Sequence, residues 1–241
     1  MAIYMWRTTA WIYHSPDLWL ISLSSDWTNW ITIADKNLGA TEVYEDGDTL
    51  SEANSGKYYQ WWNNYGFPFT GAVTTSSGQV NAQNYWPWNY YSSSTFITTN
   101  PRDSSWNSNL WWSVTWTNGA MKWPCSEWYH IPTKSEWQTI INNWITMWAW
   151  AFDWYVNFVS YLKMPLAWWL INGSPMFSDS YWYYWVSEEY NVNYAYRLDV
   201  DVNPKIDVQT YAWKNAWFSI RPFANTPVQP DDSWTVLYPT S

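Results

Sequence analysis

A stripe of apolar residues in the middle of the chain predicts an amphipathic helix. Its members recur at positions i, i+3, i+4 and i+7, which places them on one helical face. They are Trp137, Ile140, Ile141 and Trp144. Just before the stripe, Thr133 and Glu136 have the spacing of a capping box, in which each side chain accepts a hydrogen bond from a backbone N–H of the first turn. The pattern predicts a helix over residues 134–147.

Alternating apolar and polar residues predict strands elsewhere. Within residues 194–202 the alternation is typical of a half-buried strand. One face carries Leu198, Val200 and Val202, and the other carries Arg197, Asp199 and Asp201. Residues 31–34 alternate like a short strand that a turn follows at 35–39, and residues 50–54 suit a short helix. Residues 217–223 predict one more strand, which ends or lies at a sheet edge because Pro222 cannot donate to a ladder.

The patterning outlines one domain over residues 31–225. Residues 1–30 are poorly patterned and are interpreted as a linker or an upstream remnant, and residues 226–241 form a proline-containing tail or linker. Residues 70–109 are rich in Ser, Thr, Asn and Gln, a composition that favours long loops.

Charge and hydropathy exclude two classes of partner. The net charge is −9 with only 13% charged residues, so the chain is expected to repel phosphate backbones and not to bind nucleic acid. No stretch approaches the run of about 20 apolar residues that crosses a bilayer, so direct membrane insertion is not expected. Residues 1–7 lack the features of a signal peptide, which leaves a cytoplasmic chain or a piece of a longer exported product. Cys125 is the only cysteine, so it is interpreted as a buried thiol.

Several motifs, in order along the chain, resemble those of a bacterial surface family. Residues 125–137 (CSEWYHIPTKSEW) are similar to the signature C-P-x-G-[WY]-H-[IV]-P-[ST]-x-x-E-W of the Fibrobacter succinogenes major paralogous domain. Similar matches follow at 162–168 (LKMPLAW), 181–185 (YWYYW) and 216–221 (AWFSIR), and upstream at 33–41 (IADKNLGAT) and 56–61 (GKYYQW). The resemblance covers about residues 31–225.

The resemblance implies an α+β protein with the C-type-lectin-like fold: small antiparallel sheets with packed helices and long loops. It also implies display outside the cell within a longer polypeptide. Some relatives of this fold are the variable proteins of diversity-generating retroelements, in which adenine-directed mutagenesis rewrites exposed codons, often to Asn or Tyr. Relatives often carry a cysteine where this chain has Pro222, so a disulfide inherited from the family would lack the partner of Cys125.

The segment 187–215 is the expected binding face, because its Asn, Ser and Tyr residues combine adaptable hydrogen bonds with rigid aromatic contacts. The alternative is that these are ordinary loop residues. The ligand would be an unknown protein or glycan, bound without catalysis. The candidate residues are Glu188, Glu189, Tyr190, Asn191, Asn193, Tyr194, Arg197, Asp199, Asp201, Asn203, Lys205, Tyr211, Lys214 and Asn215.

The competing hypothesis is a carbohydrate-active hydrolase that uses paired carboxylates. Glu188 or Glu189 would act with Asp199 or Asp201 if their carboxyl groups faced one cleft. No phosphate-cradling glycine loop, nucleophile elbow or zinc-ligand cluster is present, so no cofactor or metal is expected. His130 is interpreted as a packing or capping residue rather than a ligand.

Tryptophan replaces glycine at several motif positions. The chain has 27 Trp against eight Gly, and Trp stands where the family pattern has glycine at positions 128, 168, 182 and 217. We interpret these positions as UGA codons that an alternative genetic code reads as glycine. The alternative is a genuinely aromatic-rich binding protein, because binding surfaces are enriched in Trp and Tyr. Other Trp with glycine-like surroundings are Trp27, Trp62, Trp86, Trp88, Trp112 and Trp123, whereas apolar surroundings are expected for Trp61, Trp111, Trp137, Trp185 and Trp234. Changing Trp128, Trp182 and Trp217 to glycine is therefore expected to raise the unfolding midpoint.

Overall fold

The protein is mixed but rich in strands, which form small and mainly antiparallel sheets. The computed structural model describes residues 11–15, 20–24, 29–61, 63–69, 73–77, 83–85, 88–90, 92–98, 124–126, 128–148, 160–165, 169–171, 174–176, 181–191, 193–201, 205–233 and 235–236. Its strands are β1 (Trp11–Ser15), β2 (Leu20–Ser24), β3 (Ile31–Ala34), β4 (Tyr59–Gln60), β5 (Thr74–Ser76), β6 (Gln83–Tyr85), β7 (Trp88–Tyr90), β8 (Thr95–Ile97), β9 (Tyr129–His130), β10 (Trp169–Ile171), β11 (Ser174–Met176), β12 (Tyr181–Glu189), β13 (Tyr194–Asp201), β14 (Lys205–Asp207), β15 (Tyr211–Trp213), β16 (Trp217–Phe218), β17 (Phe223–Ala224) and β18 (Thr235–Val236). The helices are α1 (Glu52–Ser55) and α2 (Lys134–Trp148).

The largest sheet among the described residues includes strands from both segments that flank the predicted domain, 1–30 and 226–241. Its antiparallel order is β18-β1-β2-β3-β17-β9. The Val228 N–H donates to Thr32 Oγ1 at 2.7 Å, and Ser22 Oγ donates to the Val228 carbonyl at 2.7 Å. The linker interpretation of residues 1–30 and 226–241 is therefore wrong for their described parts. The alternation in β2 is weak because Leu20 to Ser24 are all buried, which hides a period of two.

The helix α2 begins and ends close to its predicted bounds, and its capping box is confirmed. The Thr133 N–H donates to Glu136 Oε2 at 2.8 Å, and the Glu136 N–H donates to Thr133 Oγ1 at 3.1 Å. The Glu136 carboxylate also contacts His130 Nε2 at 3.0 Å, while His130 Nδ1 lies 2.9 Å from Asn225 Oδ1. His130 thus links α2 to β17 through the residue that follows this strand.

The hairpin β12–β13 lies between two halves of the core. On one face Trp182, Tyr184, Val186, Leu198 and Val200 pack in one core cluster with Trp137, Ile140 and Ile141 of α2. On the other face the hairpin packs against the region around β16. That second cluster includes Tyr183, Trp185, Ala195, Phe218 and Ile220. Side chains of both faces are therefore buried along most of the hairpin.

The strand predicted over 217–223 is two strands in different sheets. β16 pairs with β10 and β4, whereas β17 pairs with β3 and β9. Pro222 lies between them, where it lacks an N–H but its carbonyl accepts a hydrogen bond from the Ala34 N–H at 2.9 Å. The fully buried Arg221 donates to the carbonyls of Ala34 and Lys163 at 3.0 and 2.6 Å. This connection ties the two sheets together.

The tryptophans divide differently from the sequence-based expectation. Trp61, Trp137 and Trp185 are buried as expected, and Trp128 is 74% exposed. Trp182 and Trp217 are buried, which contradicts the glycine-like interpretation of their surroundings. Trp217 stacks on Phe67 at 4.4 Å between ring centroids. Of the other tryptophans that the motif and pattern analysis singled out, Trp144 lies in α2 and Trp88 in β7, where their backbone is described, and the rest lie outside the described residues.

Backbone conformation does not require glycine at the described motif positions. Lys163 is the only non-glycine residue with a positive φ in the described part of the chain. Trp128, Trp182 and Trp217 therefore do not have the left-handed backbone conformation that would favour glycine. Cys125 is buried as expected, and burial raises the pKa of its thiol.

Candidate ligand-binding surface

Strand pairing brings four aromatic side chains to one face of the sheet. β13 and β15 are antiparallel, with Tyr194 opposite Trp213 and Tyr196 opposite Tyr211. Side chains directly opposite each other in a sheet point to the same face, and so do residues two apart on one strand. The four rings therefore project together, and Tyr190 joins them from the turn after β12.

We call Tyr190, Tyr194, Tyr196, Tyr211 and Trp213 the aromatic cluster. Tyr190 and Tyr211 stack almost in parallel, with centroids 4.1 Å apart and an interplanar angle of 3°. Tyr194 meets Tyr211 edge-on at 5.2 Å and lies 4.1 Å from Trp213. Tyr196 meets Tyr190 edge-on at 5.4 Å. The cluster is thus a continuous strip of ring contacts.

Three of the five rings of the aromatic cluster are exposed to solvent. Tyr190 and Tyr211 are each 45% exposed and Trp213 is 41% exposed. None of the four tyrosine hydroxyls makes a hydrogen bond to another described residue. Three of the five rings therefore offer exposed aromatic area to a ligand, and the phenol groups offer polar tips. Such a combination is common at binding surfaces.

A closed turn holds Tyr190 against Tyr211. The Tyr190 and Asn191 N–H groups both donate to the Tyr194 carbonyl, at 3.0 and 3.1 Å. Asn191 Oδ1 accepts from the Asn193 and Tyr194 N–H groups at 2.9 and 3.0 Å, which forms an Asx-turn. The Asn193 carbonyl accepts from the Lys214 N–H at 3.1 Å. These bonds fix the turn to β15, so the cluster is largely preorganised.

Two predicted residues, Glu188 and Lys214, lie beside the cluster with structural partners. The Glu188 carboxylate accepts from the Lys134 N–H at 2.8 and 2.9 Å, where α2 begins. Burial raises the pKa of Glu188, although hydrogen bonds from Lys134 and Ser187 oppose this shift. Lys214 is buried and forms an ion pair with Glu189. Burial lowers the pKa of Lys214, and Glu189 opposes this shift.

Arg197 and Asp199 lie on the opposite face of β13 from Tyr194 and Tyr196. Arg197 and Asp199 form an ion pair, with Nε and Oδ1 2.6 Å apart. The Arg197 guanidinium also lies over the Tyr183 ring at 4.1 Å. Burial raises the pKa of Asp199, an effect that Arg197 opposes. The structure therefore separates this pair from the cluster.

The other predicted residues do not join the cluster within the described part of the chain. Asn215 Nδ2 donates to the Thr98 carbonyl at 2.9 Å and fastens the loop after β15. Asp201 and Lys205 are opposite each other at the β13–β14 pairing, where their backbone alone is described. Asn203 lies outside the described residues.

Sequence analysis missed three residues of this surface: Tyr196, Trp213 and Lys134. The Lys134 Nζ lies 4.3 Å from the Tyr196 ring centroid, a cation–π contact. The alternation in Tyr194-Ala195-Tyr196 and in Tyr211-Ala212-Trp213 was available in the sequence and could have shown two aromatic faces. Lys134 comes close only through tertiary packing.

The four carboxylates of the hydrolase hypothesis have separate surroundings where they are described. Glu188 binds the start of α2, Glu189 binds Lys214, and Asp199 binds Arg197. No observation among the described side chains favours a shared cleft for them. Nor do His, Cys, Asp and Glu side chains of the described ranges form a group of three or more that could hold a metal ion.

A cavity of about 340 Å³ lies elsewhere, between the turn after β3 and Tyr129. Its walls include Asp35, Lys36, Asn37 and Pro222, and none of the predicted site residues. The Asp35 side chain is fully buried and directed to His14, with Oδ2 and Nε2 3.1 Å apart. The Asp35 carboxylate is therefore poorly placed to contact a ligand in this cavity.

Comparisons with protein-family models, curated proteins and solved structures found no match for this chain. Across the parts that the structure describes, no helix is both long and apolar enough to span a membrane.

Proposed function

We propose that the chain is a non-enzymatic ligand-binding module whose binding face is the aromatic cluster within residues 187–215. The observation that carries this proposal is the exposure of Tyr190, Tyr211 and Trp213 in one preorganised strip. The largest apolar patch on the surface of a monomer, about 300–600 Å², is often a functional site. Rigid aromatic side chains lose little conformational entropy when a ligand binds.

The fold and setting of this module are part of the same proposal. We propose a C-type-lectin-like fold, display at the cell surface within a longer polypeptide, and relationship to the diversified receptors of diversity-generating retroelements. The ordered motifs at 125–137, 162–168, 181–185 and 216–221 support it. Asn and Tyr residues that the structure describes at the surface, such as Tyr190, Asn191 and Tyr211, are typical products of adenine-directed diversification.

The experiment is a screen of glycan and protein arrays with the wild-type chain, repeated with Tyr190→Ala/Asn193→Ala/Tyr211→Ala. We expect the triple variant to lose the hits because it removes the stacked Tyr190–Tyr211 pair and the Asn193 side chain, while the backbone hydrogen bonds of the turn remain. Unfolding should become easier by only about 0.5–1.5 kcal/mol, the value of an aromatic pair. A matched control is Tyr65→Ala, which removes a 38% exposed tyrosine outside the cluster and should keep the hits.

Two outcomes would contradict the proposal. If the triple variant retains the hits, the binding face lies elsewhere. If it unfolds at a much lower denaturant concentration, the three residues are core residues and the exposed strip is not a free surface.

A further inference from the structure

We infer that the aromatic cluster binds a neutral oligosaccharide by stacking its rings against the apolar C–H faces of sugar units. This inference rests on the proposed function of that face and adds the chemical class of its ligand. Three features of the described residues lead to it: charge, area and the placement of polar groups.

The charged side chains described next to the cluster already have partners. Lys214 pairs with Glu189, Glu188 accepts hydrogen bonds from the start of α2, and Lys134 lies over the Tyr196 ring. A charged ligand would lose hydration and, among the described residues beside the cluster, would gain only the Lys134 ammonium as a charge without a carboxylate partner, which is unfavourable. The net charge of −9 adds repulsion against acidic ligands. A neutral ligand fits this surface best.

The exposed area is small for a protein partner. An aromatic side chain offers about 150–250 Å², so Tyr190, Tyr211 and Trp213 at 41–45% exposure present on the order of 300 Å² together. A specific protein interface takes about 800 Å² from each partner. A few sugar units need a smaller contact area than a protein partner does, which the exposed rings can supply.

Polar groups lie at the edges of the ring faces. The four tyrosine hydroxyls make no hydrogen bond to other described residues, and the Asn191 side chain, whose Oδ1 closes the turn, keeps its Nδ2 donor free of described partners. A sugar ring has the matching arrangement, with apolar C–H groups on its faces and hydroxyls around its rim. The hydroxyls can donate to and accept from the phenols, which an apolar ligand cannot do.

Isothermal titration of the full chain tests the inference with oligosaccharides of equal length: gluco-, manno- and xylo-oligosaccharides as neutral probes, and oligogalacturonate as the acidic one. We expect at least one neutral probe to bind and the acidic probe not to bind. Trp213→Ala and Tyr211→Ala should each weaken binding roughly tenfold or more, because each removes an exposed ring face. Trp128→Ala is the matched control, since it removes a 74% exposed indole outside the cluster, and it should leave binding unchanged.

The outcomes separate this inference from the proposed function. If no neutral probe binds but a protein hit is lost in the Tyr190/Asn193/Tyr211 triple variant, the ligand class is wrong and the binding face is right. If the acidic probe binds as tightly as the neutral ones, the charge argument is overturned. If Trp128→Ala weakens binding as much as Trp213→Ala, the site is misplaced and both proposals fail.

Discussion

Replacing Trp217 with glycine should destabilise the protein, although the family motif has glycine at this position. The Trp217 indole is fully buried, stacks on Phe67 at 4.4 Å and meets Phe96 edge-on at 4.5 Å. Removing a buried Trp side chain costs about 3–5 kcal/mol through lost burial and the cavity left behind. The indole N–H has no described hydrogen-bond partner and is buried at a cost. Its removal therefore offsets about 1–3 kcal/mol of that destabilisation.

The two contributions leave a net loss of about 2 kcal/mol, which lowers the melting temperature of a chain of this size by about 4–8 °C. Urea unfolding at equilibrium measures it as a lower midpoint with an unchanged slope. Trp128→Gly is the matched control. Because Trp128 is 74% exposed, that change should stay within about 0.5 kcal/mol of the wild type.

A higher midpoint for Trp217→Gly would refute this reasoning. It would mean that the indole overfills its site, as the motif comparison first led us to expect, and that the aromatic packing around Phe67 is strained. For Trp217 the structure thus predicts a lower unfolding midpoint, where the motif comparison predicted a higher one. Whether the codon at position 217 is read as glycine is tested by a separate measurement.

Two further predictions concern α2 and the codons. Burial acts to raise the pKa of Glu136, but hydrogen bonds and charge from His130, with Thr133, outweigh it and lower the pKa from its ordinary 4.5. The ionised form therefore adds stability that is present above pH 4.5 and is lost as the pH falls through the lowered pKa. Glu136→Gln should be less stable than wild type by about 1 kcal/mol near neutral pH, and this difference in unfolding free energy should disappear on acidification. The control is Glu42→Gln, which changes an exposed carboxylate. A difference that does not depend on pH would contradict the role given to the Glu136 carboxylate. If UGA is read as glycine, the intact mass of natively expressed protein should match glycine at positions 128, 168, 182 and 217, and a mass matching tryptophan would end that hypothesis.

Local structure was predictable where a period and a cap agreed. The stripe from Trp137 to Trp144 and the Thr133–Glu136 box defined α2 to within a residue or two of its observed ends. The strand from Tyr194 was similarly clear, since only one of its faces is charged. The formation of such elements depends on residues only a few positions apart, and a sequence pattern contains that information.

What could not be predicted depends on pairing between distant segments. β2 lacks an exposed polar face because all five of its residues are buried, so it looks like part of an unpatterned flank. The division of 217–223 into two strands arises from the different sheets that reach each end. The binding face followed the same rule: Tyr190 and Tyr211 were recognised as candidates, but Trp213 and Lys134 join them only through strand register and helix packing.

The position of β17 between β3 and β9 also sets an order for folding during synthesis. β3 gains its second neighbour only at Phe223, about 190 residues after Ile33. At ribosomal rates of about 5–20 residues per second, the free edge of β3 waits roughly 10–40 s for that strand. An unpaired strand edge is a template for intermolecular pairing. Nascent chains that stall before Ala224 should therefore aggregate or depend on chaperones, and pairings between such distant residues also make spontaneous refolding slow.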